Sequence, residues 1–387
     1  MSRFAKTPPI TSRLPEVGTT IFTVMSALAQ THGAVNLGQG FPDFDCDPRL
    51  VEAVDAAMRG GLNQYPPMAG VPALREAVAA KIATLYGHAY DPGSEITITA
   101  GATQAILTAI LAVVHPGDEV ILLDPCYDSY EPNILLAGGV PVHVPLTPGT
   151  FEPDFDRIAA ALTPRTRAIL VNTPHNPSAT VWSAAQMQQL AELLRPTDVI
   201  VIADEVYEHM VYDGAQHQSV ARFPELAQRA IAISSFGKTY HVTGWKVGYA
   251  AAPAALTAEF RKVHQFNVFT VNTPMQHGLA AYMADASHHL ELPAFYQRKR
   301  DLFRDGLAAT RFRLLPSRGS YFQCVDYSAI SDLSEEDFCR WLTAEVGVAA
   351  IPLSAFYQGG FEQRFARFCF AKKDETLRLA LDRLAKL

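Results

Sequence analysis

Five runs of near-continuous apolar residues, separated by helical patterns, constrain this chain more than any other feature. The runs are 95–100 (EITITA), 119–123 (EVILL), 168–172 (AILVN), 199–203 (VIVIA) and 230–234 (AIAIS), with a further candidate at 140–144. Helical patterns fall at 104–114, 154–162 and 184–194. A strand with no polar alternation is buried on both faces, so the pattern predicts an α/β fold whose mainly parallel sheet is covered by helices. Ligands of such sheets sit beyond the carboxyl ends of the strands. The residues that follow each run are therefore the place to look for chemistry.

The last third has a different character. It predicts a charged helix over 294–307 and strands over 312–315 and 321–325, flanking Pro316-Ser317-Arg318-Gly319. A helix over 335–346, strands over 348–351 and 365–370 and a helix over 375–384 follow. This reads as a separate, smaller α+β domain. The first forty residues hold no βαβ unit and are expected to pack with it. The division is then 1–45 as an N-terminal segment joined to the small domain, 46–285 as the large domain and 286–387 as the small domain. A chain of 387 residues also exceeds what one hydrophobic core usually serves.

Composition excludes several classes of function. A formal charge of −7 with no Lys/Arg block gives no basis for nucleic-acid binding. The cysteines at 46, 126, 324, 339 and 369 form no CxxC pair, which argues against a disulfide framework or a metal site and fits a cytoplasmic protein. The opening MSRFAKTPPITSRLPEVG lacks the apolar stretch of a signal peptide, and no run approaches the length of a membrane span.

The strand mouths carry distinctive residues. Gly101-Ala102-Thr103 opens a helix, where free N–H groups and the helix dipole favour a phosphate. Asp204-Glu205-Val206-Tyr207 puts an acid at the end of a buried strand, where a carboxylate must be paired or functional. Ser235-Phe236-Gly237-Lys238 places a lysine where packing does not explain it but Schiff-base chemistry does. Thr173-Pro174-His175-Asn176-Pro177 is a rigid loop presenting an amide. Taken singly, each also fits a plainer role: a strand-to-helix turn, a helix N-cap, a surface lysine.

Taken together and in this order, with a distant arginine, these residues resemble the class I/II aminotransferases of fold type I. The resemblance runs from 36–43 (NLGQGFPD) to 367–370 (RFCF) and is most specific at 172–180 (NTPHNPSAT) and 234–249 (SSFGKTYHVTGWKVGY). Those stretches are similar to the kynurenine/glutamine aminotransferase branch, and most of all to bacterial methionine aminotransferases. The resemblance implies pyridoxal 5'-phosphate as cofactor and a homodimer. It implies that Lys238 holds the cofactor as a Schiff base and shuttles the substrate's Cα proton. Asp204 is then the partner of the pyridine nitrogen, and Tyr207 and Asn176 bond the ring's phenolic oxygen. Tyr127 stacks on the ring, and the large domain is the cofactor-binding one. Gly101, Ala102, Thr103, Ser235 and Lys246 hold the phosphate, joined by Tyr65 of the neighbouring subunit. Arg367 clamps the substrate carboxylate, with Asn176 and Gly40 on the substrate side.

Two departures stand out. Many relatives carry arginine where this chain has Lys246, although the kynurenine-type branch also uses lysine there. Ala179 replaces the usual glycine after Asn176-Pro177-Ser178. Apolar residues at Ile21, Phe41, Tyr65 and Phe356 are compatible with a large apolar, aromatic or sulfur-containing substrate, a choice that the resemblance to methionine aminotransferases implies. Asp43 and Asp45 read as solvated loop acids, Cys126 as a packed thiol, and His175 and His241 as structural or substrate-adjacent. A β-eliminating C–S lyase, acting on cystathionine or cysteine conjugates, shares the lysine, aspartate and arginine and is the alternative reading. A transcription regulator would need a helix-turn-helix extension, and only about thirty-five residues precede NLGQGFPDF. A nicotinamide dehydrogenase would need a GxGxxG after its first strand, which is absent.

Overall fold

The computed structural model describes residues 10–387; the first nine residues of the N-terminal segment, and of the stretch read above for a signal peptide, lie outside it. Strand β1 (Val35–Asn36) precedes seven that form the main sheet. These are β2 (Ile96–Thr99), β3 (Glu119–Asp124), β4 (Val140–Pro145), β5 (Thr166–Asn172), β6 (Ile200–Asp204), β7 (Ala230–Ser235) and β8 (Gly248–Ala251). Their order is β2-β8-β7-β6-β5-β3-β4, with β8 antiparallel to both neighbours and every other pair parallel. The apolar runs expected to be strands are strands. The pleat explains their continuity. Ile121, Leu123, Ile169, Val171 and Val201 enter the core on one face, and Val120, Leu122, Leu170, Ile200 and Ile202 enter the core on the other.

β8 was not foreseen, because Gly248-Tyr249-Ala250-Ala251 is short and carries small side chains. Its reversed direction matters. It puts the start of the strand, with Lys246 just before it, at the edge where its neighbours end.

The C-terminal third adds β9 (Arg313–Leu314), β10 (Phe322–Asp326), β11 (Val348–Ala349), β12 (Ile351–Pro352) and β13 (Phe365–Cys369). A four-stranded antiparallel sheet runs β12-β13-β10-β9, while β11 pairs in parallel with β1. The single strand expected over 348–351 is thus two strands in two sheets. Its first half is claimed by the N-terminal segment, Val35 opposite Val348, and its second half by β13, Ile351 opposite Arg367. The expected helix over 335–346 is α-helical only at Glu335–Trp341. A wider turn at Leu342–Val346 then closes on Gly347.

A buried ionic network ties the elements behind the carboxyl edge of the sheet. Glu208, just past β6, accepts hydrogen bonds from Lys81 Nζ (2.6 Å), Ser234 Oγ (2.6 Å), Tyr249 Oη (2.8 Å) and Tyr86 Oη (2.6 Å). Burial opposes its ionisation, but Lys81 and the other partners outweigh that and hold the carboxyl well below its ordinary range. The helix Pro72–Tyr86, the exit of β6 and strands β7 and β8 meet on this one carboxylate. Removing a buried partner strands the charge that remains. Lys81→Ala should cost about 3–5 kcal/mol, read as a lower urea midpoint. A loss under about 1 kcal/mol would mean that the pair behaves as a surface one.

Candidate active site

At the carboxyl edge of the main sheet, facing β10 and β13, lies a cavity of about 300 Å³. It collects one contribution from nearly every strand mouth. Ala102 and Thr103 come after β2, Tyr127 after β3, Asn176 after β5, Asp204 and Tyr207 at β6, Ser235 and Lys238 at β7, and Lys246 before β8. Gly40 reaches in from the N-terminal segment and Arg367 from β13. These residues span 328 positions of the chain (40 to 367, counting the ends), yet a single wall of the fold brings them together.

One end of the cavity is built for an anion. Gly101 takes φ 77, a left-handed conformation in which a side chain is strained, and opens the helix Gly101–Val113. That helix has no side-chain cap, so its first N–H groups face outward unclaimed. A Cβ built on Gly101 would lie 3.3 Å from Lys246 Nζ, so the ammonium sits against the turn. Amides, an ammonium and the Ser235 hydroxyl at one place form a phosphate seat.

The middle of the cavity holds an acid and an amine. The Asp204 carboxylate accepts from Tyr130 Oη (2.6 Å) and from the Val206 amide (3.2 Å). No salt bridge reaches it among the described residues, and burial raises it to about 6. Asn172 braces the spot, donating to the Asp204 carbonyl (2.9 Å) and accepting from the Asn176 amide (2.8 Å). Lys238 Nζ donates to the Gly40 carbonyl (3.1 Å) and to Tyr321 Oη (2.9 Å), and it sits 5.7 Å from the Tyr207 ring centre. Burial lowers its ammonium to about 8, so a useful fraction is free amine near neutrality.

The far wall holds Arg367, only 1% exposed and with no carboxylate partner among the described residues. One terminal nitrogen donates to Asn176 Oδ1 (2.6 Å) and the other to the Gly38 carbonyl (3.0 Å), while Nε has no partner. The guanidinium lies 4.0 Å from the Phe322 ring centre, 5.0 Å from Phe356 and 5.3 Å from Phe22. A fully buried cation among aromatic rings, with donor capacity to spare, is a seat for an anion.

Pyridoxal phosphate fits these residues. Its phosphate suits the uncapped turn, its ring nitrogen suits a buried acid that lacks a cation, and its aldehyde suits an amine of lowered basicity. Tyr127 lines the same space, its phenol pushed up to about 12, chiefly by burial. Tyr65 is the one expected site residue that lies elsewhere: it is 81% exposed and packs edge-on against Phe269.

Other expectations are corrected. Phe22 lines the cavity and Ile21 does not, and Phe41 is exposed outside it; the apolar wall is Phe22, Ile106, Val206 and Phe322. Asp43 is not a free loop acid, since it accepts from the Lys373 amide and the Thr376 hydroxyl and so caps the last helix. His241 lies among Phe44, Phe295 and Tyr296, away from the cavity. Cys126 is buried, as expected of a packed thiol, and His175 shares a hydrogen bond with Ser178 Oγ, as expected of a structural histidine. Ala179 takes φ 62 where the family's glycine would stand. The strain costs about 1 kcal/mol, and burying the methyl returns roughly 0.8 kcal/mol, so alanine is tolerated. Tyr130, Asn172, Phe322 and Tyr321 escaped the sequence reading. Asn172 ends its strand and Tyr130 lies three residues past Tyr127, so both were within reach, whereas nothing local marks Tyr321.

The profile of the aminotransferase class I and II family matches residues 32–384. The chain belongs to that family. It is a pyridoxal-phosphate-dependent aminotransferase, moving an amino group from an amino acid to an oxo acid. It is 53% identical to methionine aminotransferase of Escherichia coli over 97% of this chain and 98% of that one. A solved E. coli structure described as having a methionine aminotransferase function superimposes with a TM-score of 0.97, covering 98% of this chain and 100% of the other. Human kynurenine–oxoglutarate transaminase 1 is 36% identical over 93% of each chain. These relatives do not favour the lyase alternative.

In the aminotransferase, burial raises the Asp204 carboxyl, and no salt bridge among the described residues offsets it. Because its folded value of about 6 exceeds the ordinary 3.8, the cofactor-free protein carries a penalty that is absent below about pH 4 and grows as pH rises through 6. Asp204→Asn should therefore stabilise the cofactor-free protein by roughly 2 kcal/mol at pH 7–8 and not at pH 4. Denaturation at the two pH values checks this, and an equal effect at both would refute it.

Proposed function

We propose that this aminotransferase takes methionine, or another large apolar or aromatic L-amino acid, as amino donor, and works in ping-pong order as a cytoplasmic homodimer. The observation that carries the reading is Arg367, a buried guanidinium facing the cavity across from Lys238 with no anion of its own. An α-carboxylate bound there fixes the orientation of the Cα substituents relative to the lysine. The side chain then meets Phe22 and Phe322. The cations lining the cavity are Lys238, Lys246 and Arg367, so a second substrate carboxylate finds no further one among the described residues of this chain. Methionine is named for the E. coli relative and supports the choice within the apolar class.

In this reading Gly101, Ala102, Thr103, Ser235 and Lys246 hold the cofactor's phosphate. Asp204 faces the ring nitrogen, Tyr207 and Asn176 its phenolic oxygen, and Tyr127 its face. Pyridoxal phosphate supplies the electron sink that makes the substrate's Cα acidic. Lys238 carries the cofactor between turnovers, then takes the Cα proton and returns it one atom away. The division at 1–45, 46–285 and 286–387 belongs to the same proposal and is supported by the β1–β11 pairing. All five cysteines are free, which suits a reducing compartment, and no helix among the described residues is long and apolar enough to cross a membrane.

Arg367→Ala should lower kcat/KM for methionine by the equivalent of about 2–5 kcal/mol with the cofactor's absorbance kept. Loss of the cofactor with unchanged amino-acid affinity would move Arg367 to the phosphate site. In a panel of donors, methionine and aromatic amino acids should exceed aspartate in kcat/KM, and the reverse order would sink the substrate proposal.

Tyr65 supports the dimer: it is exposed on this chain and absent from its cavity, as expected of a residue that completes a partner's site. Lys238→Ala and Tyr65→Ala subunits, each impaired alone, should regain activity when refolded together, since the mixed dimer holds one intact site. Persistent inactivity of verified mixed dimers would refute the shared site.

A further inference from the structure

Tyr321 is not among the site residues expected from the sequence, yet its hydroxyl bonds the amine at the centre of the cavity. It comes from the loop before β10, fully buried, and ends between two polar partners. It donates to the Gly40 carbonyl. It accepts from Lys238 Nζ at 2.9 Å. Its ring meets the Tyr207 ring edge-on at 5.0 Å.

The proton inventory decides what this geometry does. The Gly40 carbonyl can only accept, so the Tyr321 proton points at it and the phenolic lone pairs point at Lys238. Lys238 Nζ also donates to the Gly40 carbonyl, at 3.1 Å. A neutral amine has two N–H bonds and one lone pair. With both N–H bonds claimed by Tyr321 and Gly40, the lone pair has only the cavity to face.

We propose that Tyr321 is a positioning residue for proton transfer, forming with the Gly40 carbonyl a two-acceptor seat that aims the lone pair of the free Lys238 amine at the substrate's Cα. The amine takes the Cα proton, the C–H electron pair stays with the substrate, and the lysine leaves the step as an ammonium. As an ammonium it keeps both acceptors and points its third N–H into the cavity, ready to return the proton. The proposal rests on Lys238 being the lysine that carries the cofactor.

The seat has little slack. A Cβ on Gly40 would lie 3.1 Å from the Phe322 ring, tighter than an ordinary contact, so a side chain there would have to push that ring aside. The other groups whose charge reaches the Lys238 nitrogen are Asp204 on β6, Lys246 before β8, and Arg367 and Cys369 on β13. None of them donates to or accepts from it. Tyr321 is thus the one side chain that hydrogen-bonds the amine among the described residues.

The test is Tyr321→Phe, read in two ways. In the cofactor-free enzyme, the rate of acetylation at Lys238 is followed against pH by mass spectrometry. Loss of an acceptor disfavours the ammonium, so the midpoint should move to lower pH. In the loaded enzyme, kcat with methionine should fall ~10–100-fold, and the isotope effect from deuterium at Cα should rise while KM changes little. A merely structural role would lower the melting temperature and leave the midpoint and the isotope effect where they were; that result overturns the proposal. If Tyr321→Phe does not fold, 3-fluorotyrosine at 321 keeps the shape, weakens the acceptor and should shift the midpoint the same way. Borohydride reduction with peptide mapping checks the underlying reading separately. Label on a lysine other than Lys238 overturns both, whereas label on Lys238 with an unmoved midpoint overturns only the role of Tyr321.

Discussion

Burial of the main sheet on both faces is the constraint from which the rest of this aminotransferase follows. Side chains of β3, β5 and β6 alternate between two apolar cores, so neither face has room for polar chemistry. The inner strands meet the cavity at the carboxyl edge. Six strand ends lie along it, and the reversal of β8 adds one more loop to the same edge. The phosphate seat exists because of that reversal, since Gly101 leaves β2 and Lys246 enters β8 next door.

A site made this way holds charges in an environment that disfavours them. Burial raises Asp204, lowers Lys238 and lowers Arg367, each toward its neutral form. Each finds neutral hydrogen-bond partners in the protein: Tyr130 for Asp204, Tyr321 and Gly40 for Lys238, Asn176 and Gly38 for Arg367. The opposite charges are left for ligands to bring. Glu208 shows the contrast a few residues away: it is equally buried, fully paired with Lys81, and held firmly ionised. One carboxylate stabilises the scaffold and the other waits for a partner, and what separates them is the cation that the fold supplies to one and withholds from the other.

The N-terminal segment completes the cavity through the C-terminal sheet rather than through the main one. Gly38 accepts from Arg367, Phe41 accepts from Lys372, and Asp43 caps the helix Asp374–Leu384. Arg367, Lys372 and the start of the last helix are therefore all tied to this one segment, two of them through its backbone carbonyls.

Most of the fold and half of the site were legible in the residues alone, for a definable reason. An apolar run buried on two faces is a local signal, and so is a glycine, acid or lysine at its end, which is why Gly101, Asp204 and Lys238 could be named from their own neighbourhoods. Arg367 was found only through resemblance, because an arginine inside a strand carries no local mark of what it faces. Pairing was beyond reach: that 348–351 divides between two sheets depends on β1, more than 300 positions earlier. So was Tyr321, whose hydroxyl meets a lysine 83 positions away. The sequence by itself determined which segments are buried and which strand ends are polar, because hydrophobicity and backbone preference act over a few residues. Only the tertiary structure decided which polar atoms touch, because hydrogen-bond geometry is set within tenths of an ångström by packing between segments that the chain order keeps far apart.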